Sequence, residues 1–210
     1  MRADARRNRE RIIAAARDLV LEQGPEVPLD QVAERAGVGN ATLYRHFPAR
    51  LPLLRSVVIT DMAAVADLAE EALRSDAPAG SALRAFAART VEGQRVAMLP
   101  ILGGYMEGGP DYAEVRARLG EALDTLLARA REQGELRGDV SAADLVLFLA
   151  VLTRPLPAVS DGLGSAVRAR MLSSLMDGLR PEGSTPLPGE PVGVGGISAG
   201  LVAPGGGREG

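Results

Sequence analysis

The chain has no cysteine, no tryptophan and one histidine in 210 residues. Without a thiol there is no disulfide, no thiolate zinc site and no cysteine nucleophile, and a single imidazole cannot build a multi-histidine metal centre. Lysine is missing as well, so all 24 basic residues are arginine. With the abundance of Ala, Gly and Pro, that bias fits a GC-rich genome better than any special chemistry. Aromatic residues make up only 3%, which makes the position of each one informative. No stretch approaches 18 consecutive apolar residues, and the basic N-terminus is not followed by an apolar run. A membrane span or secretory signal is therefore not expected. The cytoplasm is the default compartment, and no cofactor, metal or membrane partner is implied.

What is present begins with the distribution of charge. The whole chain carries a formal net charge of −3, yet residues 1–17 hold Arg2, Arg6, Arg7, Arg9, Arg11 and Arg17 against only Asp4 and Glu10. Binding to a polyanion depends on local phosphate contacts rather than on total charge, so the acidic balance does not argue against nucleic acid.

The most informative stretch is 29–47. Leu29, Val32, Ala33 and Ala36 recur at i, i+3, i+4 and i+7, which marks one face of a helix. Gly37 ends it, because glycine enters the left-handed region without a Cβ clash. Val38, Leu43 and Phe47 then anchor a second short helix, leaving Asn40, Ala41, Thr42, Tyr44 and His46 pointing outward. Helix, glycine turn and short helix form a helix-turn-helix, whose second helix enters a DNA major groove.

The segment Ala33-Glu34-Arg35-Ala36-Gly37-Val38-Gly39-Asn40-Ala41-Thr42-Leu43-Tyr44-Arg45-His46-Phe47 resembles the DNA-binding signature of the tetracycline-repressor (TetR) family of bacterial transcription regulators. The resemblance covers roughly residues 8–60; beyond about residue 75 it is architectural only. It implies an all-α fold: a three-helix DNA-binding head over 1–49, then a helical ligand-binding and dimerisation domain over 50–180, joined to the head by a long helix. Two positions depart from the family pattern. Gly39 stands where serine is common, and Val27-Pro28 replaces the Ser or Thr that caps the helix and touches a phosphate.

The remaining chain reads as helices as well. Residues 1–7 form a basic arm, disordered or ordered only on DNA. Helices are expected over 8–23, 29–36, 40–47 and 50–75, the last roughly 38 Å long at 1.5 Å per residue. A further helix ends near Glu92. An apolar segment runs from Val96 to Tyr105 with Pro100 kinking or splitting it. Helices over 111–133, 142–153 and 163–178 complete the body. Ser141 and Asp144 form a capping-box start with Asp in place of the usual Glu or Gln. The helix at 142–153 is apolar nearly all round and must be buried on more than one side. From Pro181 onward half the residues are Gly or Pro, so 181–210 is expected to be a disordered tail.

Individual residues then take roles. Asn40 pairs with adenine or merely caps its helix, and Ala41 and Thr42 offer methyl contacts to thymine. The resemblance implies phosphate contacts for Tyr44 and His46, with Arg45 and Arg50 placed to do likewise; local packing is the alternative for His46 and a solvated side chain for Arg45. Phe86, Tyr105, Tyr112 and Phe148, with Met62, Met98 and Met106, either line a ligand cavity or simply fill the core. Arg89 and Gln94 either orient a bound molecule or face solvent. No nucleophile–base pair, metal constellation or phosphate loop is present, so an enzyme is not expected. The resemblance implies a homodimer on a near-palindromic double-stranded operator, a repressor released by a small molecule; a cavity lined by those aromatic and methionine residues would suit a largely apolar inducer with one or two polar groups. The rival reading is a helix-turn-helix regulator that activates, or that answers to a protein partner.

Overall fold

Ala3 and Ala5 are strong helix formers, and Arg7–Asp4 (2.5 Å) and Arg6–Glu10 (3.6 Å) pair at helical spacing. The first helix therefore starts at Arg2, α1 spanning Arg2–Gln23, where the sequence suggested a basic arm over 1–7, disordered or ordered only on DNA. The computed structural model describes residues 2–102, 109–154, 159–182 and 185–191, and every regular element among them is a helix.

Two short helices follow, α2 (Leu29–Ala36) and α3 (Asn40–His46), then the long α4 (Arg50–Leu73). Gly37 caps α2 at φ +62°, its N–H bonding back to Glu34 and that of Val38 to Ala33. A Cβ here would be strained by the backbone and would also meet the Arg11 guanidinium at 2.6 Å. The left-handed backbone makes glycine the favoured residue at this turn. Val32, Ala33, Ala36, Leu43 and Phe47 are buried against Ile12, Ala16 and Leu19 of α1, forming the core of the head. That core does not stop at residue 49: Leu53, Leu54, Val57 and Val58 of α4 belong to it.

The body comprises α5 (Ala79–Glu92), the four-residue α6 (Leu99–Leu102), α7 (Pro110–Glu132), α8 (Ala142–Leu152) and α9 (Asp161–Gly178). Among the described residues of the 96–105 segment, 96–102, the helix is this one short turn, with Pro100 in its first turn, where a missing N–H costs nothing. Met98 and Leu102, from that segment, are buried in the head's core rather than the body's. Val65, Ala66, Ala69, Phe86, Leu123, Leu126, Leu145 and Leu149 centre the second core. The Ser141–Asp144 capping box is complete. Asp144 N–H donates to Ser141 Oγ at 3.0 Å, and Ser141 N–H to Asp144 Oδ2 at 2.8 Å. Aspartate reaches as well as the usual glutamate.

The first described residues of the Gly/Pro-rich segment follow the body. Buried Arg137 binds both oxygens of Asp139 (2.5 and 2.8 Å) and the carbonyls of Gly178 (3.2 Å) and Thr185 (2.5 Å). Leu187 N–H donates to Asp139 (2.9 Å), and its side chain packs on the body core. These bonds hold the Asp139 carboxyl well below the usual carboxylate range. Residues 192–210 lie outside the described residues.

One ion pair joins the two cores. Asp61, in the middle of α4, is only 2% exposed. Both its oxygens accept from Nε of Arg17 on α1, at 3.0 and 2.9 Å, while Nη2 of Arg17 donates to the carbonyls of Gly93 (2.9 Å) and Gln94 (2.8 Å). Removing one partner of such a pair strands a buried charge, at a cost of about 3–5 kcal/mol, whereas removing both together is far milder. Arg17→Met and Asp61→Leu alone should each lower urea-unfolding stability by about that amount, and the double variant by much less. Additive losses would show that the two groups do not depend on each other.

Candidate nucleic-acid interface and central cavity

Helix α3 is short, and its two sides differ sharply. Leu43 and the following Phe47 are buried, fixing the helix against α1 and α2. Asn40, Ala41, Tyr44 and Arg45 are exposed, Tyr44 to 47%, and Thr42 and His46 are half-buried. No side chain caps α3, and Gly39 occupies the N-cap in extended geometry, so the Asn40 side chain is not used as a cap. Arg45 donates to Thr42 Oγ1 at 3.3 Å.

The neighbouring arginines are largely engaged within the protein. Arg9 donates to Ser56 (3.0 Å) and lies over the Phe47 ring at 5.2 Å. Arg11 donates to the Gly37 carbonyl (3.1 Å), and Arg35 forms a two-pronged pair with Glu22 (3.0 and 2.9 Å). Arg50 is held by Glu26. A phosphate at Arg50 would have to displace that carboxylate, a competition the sequence did not reveal because residues 26 and 50 meet only through the fold.

Below the head lies a small, mostly apolar cavity of about 60 Å³. Val58, Met62, Met98, Tyr112, Leu119 and Val146 line it, together with Asp61, Arg95 and Arg116. Three of the expected ligand residues, Met62, Met98 and Tyr112, are therefore brought together. Others are placed elsewhere. Phe86 is wholly inside the body core, where its ring fills space between α5 and its neighbours. Arg89 faces outward and pairs with Glu71 at 2.6 Å. Gln94 sits at φ +49° in the turn after α5 and contributes its carbonyl to Arg17 instead of a side chain to the cavity. Phe148 lies in an open groove between α8 and α9 with Val151, Val167 and Met171. Tyr105 and Met106 lie outside the described residues.

The ionisable residues of the cavity were missed from sequence. Asp61 sits among apolar residues on α4, and its helical position gives no sign of which element will face it. Burial pushes its carboxyl up from the ordinary aspartate value, and the charges of Arg17 and then Arg95 pull it back. Arg95 approaches to 3.6 Å. Among the described residues no cluster of carboxylates and imidazole is arranged to hold a metal ion, and no helix is long and apolar enough to cross a membrane.

Comparison with known proteins accords with this architecture. Residues 12–57 match the family described as bacterial regulatory proteins, tetR family, and residues 78–181 match the C-terminal domain described as transcriptional regulator SbtR-like. A TetR transcription regulatory protein from Mycobacterium vanbaalenii is 32% identical in sequence. Its superposition covers 85% of this chain and 98% of that one, at a TM-score of 0.60. The TetR-like regulator LfrR from Mycobacterium smegmatis, solved in complex with proflavine, shares the fold at 22% identity. That match covers 87% of this chain and 99% of that one, with a TM-score of 0.63. The HTH-type regulator TtgW of Pseudomonas putida is 42% identical over 57 residues, which are 27% of this chain and 42% of that protein; this match spans less than half of the relative. The chain belongs to the TetR family of bacterial transcriptional regulators, which act by binding DNA and not by catalysis.

Proposed function

We propose that the chain is a cytoplasmic, homodimeric repressor that binds a near-palindromic operator and is released from it by a small, largely apolar ligand. The observation that carries the DNA reading is the division of α3: Leu43 and Phe47 lock the helix from behind, while Asn40, Ala41 and Tyr44 stand exposed in front. Base edges are reached from the N-terminal part of a recognition helix, which assigns sequence reading to Asn40, Ala41 and Thr42. Tyr44, Arg45 and His46 hold the backbone, and Arg50 joins them once Glu26 releases it.

The ligand reading is supported by the cavity and by what its walls belong to. Val58 and Met98 are part of the head's core and also line the cavity. At about 60 Å³ the space is far below the several hundred Å³ of ordinary small-molecule sites. A ligand must therefore part these walls to enter, with unbranched Met62 and Met98 adapting to its shape. It then favours the wider arrangement and shifts the head through α4, as a released repressor requires. LfrR, a relative by fold, was solved in complex with proflavine. The division at residues 49 and 50 is functional; in packing, α4 belongs to both cores.

The dimer reading rests on α8 and α9. Val151 is 65% exposed and Met171 49%, and with Leu163 they lie outside the protomer's own core. Leu172, by contrast, is buried within the protomer. Such an apolar face suits a twofold, self-complementary contact that sets the recognition helices about 34–36 Å apart.

Two outcomes follow. Binding-site selection should show Asn40→Ala and Thr42→Ala preferring different operator variants, with about 1–3 kcal/mol of discrimination lost at the contacted base pair. Tyr44→Phe and Arg45→Ala should weaken every sequence alike. An unchanged preferred sequence for both Asn40→Ala and Thr42→Ala would remove the base-reading assignment. In light scattering, Met171→Glu should convert dimers to folded monomers that no longer shift operator DNA. A wild-type protein that is monomeric at micromolar concentration would rule out the assembly.

A further inference from the structure

The charge on the cavity wall points to the chemistry of what enters, given the proposal that this cavity is the ligand site. Its described lining contains one carboxylate, Asp61, and two guanidinium groups, Arg95 and Arg116. Asp61 is already engaged, bound through both oxygens by Arg17 and approached by Arg95. The wall is therefore left with positive charge that no described acidic group balances.

Arg116 is the member with no protein partner among the described residues. Helix α7 carries four arginines. Arg118 binds Asp67 and Glu70 at 2.6–2.8 Å, Arg129 binds the carbonyls of Leu73, Ser75 and Ala77, and Arg131 binds that of Val140. Arg116 forms no hydrogen bond or ion pair among the described residues, although it is half-buried beside an apolar space. It follows Tyr112 by four residues and precedes Gly120 by four, so all three lie on one face of α7, and all three line the cavity.

Three ligand classes meet this wall differently. A cation would have to draw Asp61 away from Arg17, stranding a buried guanidinium, and would still face Arg95 and Arg116. A neutral apolar molecule would displace water from Arg116 and offer nothing in return, which is costly for a charged group. An anion supplies the missing partner, and guanidinium–carboxylate pairing is strong and directional. We infer that the ligand is an apolar organic monoanion, its carboxylate or equivalent group on Arg116 with Arg95 beside it, and its body against Met62, Met98, Leu119 and Val146. Arg95, with its side chain 41% exposed and 3.6 Å from Asp61, is free to be shared between Asp61 and the incoming anion.

Benzoate, benzamide and benzamidine are nearly the same shape and differ in charge, so they separate these cases. Calorimetric titration of the full chain with each should give benzoate the tightest binding, by about tenfold or more over benzamide, the size of one charge-assisted hydrogen bond. Benzamidine should bind most weakly. Arg116→Gln should reduce benzoate to the level of benzamide and leave benzamide unchanged, while Arg116→Lys should keep part of the preference; an unaltered thermal transition confirms that both variants fold. Ala143→Leu, which adds bulk to the cavity wall, should weaken all probes that bind. If benzamide or benzamidine matches benzoate and Ala143→Leu still blocks them, the cavity remains the ligand site and the anion inference falls. A benzoate preference that survives in Arg116→Gln also overturns it. If no probe binds, or Ala143→Leu changes nothing, the cavity reading itself falls and takes the inference with it.

Discussion

A carboxylate closed off from water in the middle of a long helix imposes conditions on everything near it. Asp61 can stay charged only where a cation reaches it, and Arg17 reaches it from another helix. The same guanidinium binds two carbonyls in the turn after α5. One side chain thus joins the head, the long helix and the body, three segments far apart in sequence. Asp61 is closed to water, so the seating of α1 on α4 and on the turn after α5 depends on this pair. The left-handed backbone at Gln94, unusual for a residue with a side chain, is held where its carbonyl meets Arg17.

The shared walls extend this constraint to the cavity. Val58 and Met98 serve the head's core and the cavity together, and Met62 touches both cores. Packed interiors transmit displacement because they have little free space to absorb it. Widening the cavity therefore moves residues on which the head rests. Helix α4, 24 residues and about 36 Å long, carries the displacement toward α3. The proposed response to a ligand needs no additional moving part.

Exclusive use of arginine leaves its mark on the cross-links. Arg35 with Glu22, Arg118 with Glu70 and Arg137 with Asp139 each use two nitrogens on two carboxylate oxygens, a geometry lysine cannot copy. Exposed pairs such as Arg35–Glu22 contribute little to stability. Their effect is geometric, fixing α2 to α1, α7 to α4, and the segment after Thr185 to the body. Arg137 also explains why the Gly/Pro-rich segment is tied to the body at residues 185 and 187: its guanidinium satisfies the Thr185 carbonyl, and its partner Asp139 accepts from the Leu187 N–H.

The sequence by itself determined what depends on near neighbours along the chain. The period of Leu29, Val32, Ala33 and Ala36, the left-handed need at Gly37 and the Ser141–Asp144 box are local facts, and the helices follow from them. The outward set on α3 was legible for the same reason, since Leu43 and Phe47 define its back. Tertiary structure decided what depends on residues distant in sequence. Helical periodicity says that a side chain points inward but not what it will meet, so Asp61 could not be matched to Arg17, nor Arg50 to Glu26. For the same reason the sequence could not sort the aromatic and methionine residues. Tyr112, Met62 and Met98 reached the cavity, Phe86 the core and Phe148 the outer groove, because helix packing sets the direction each one faces.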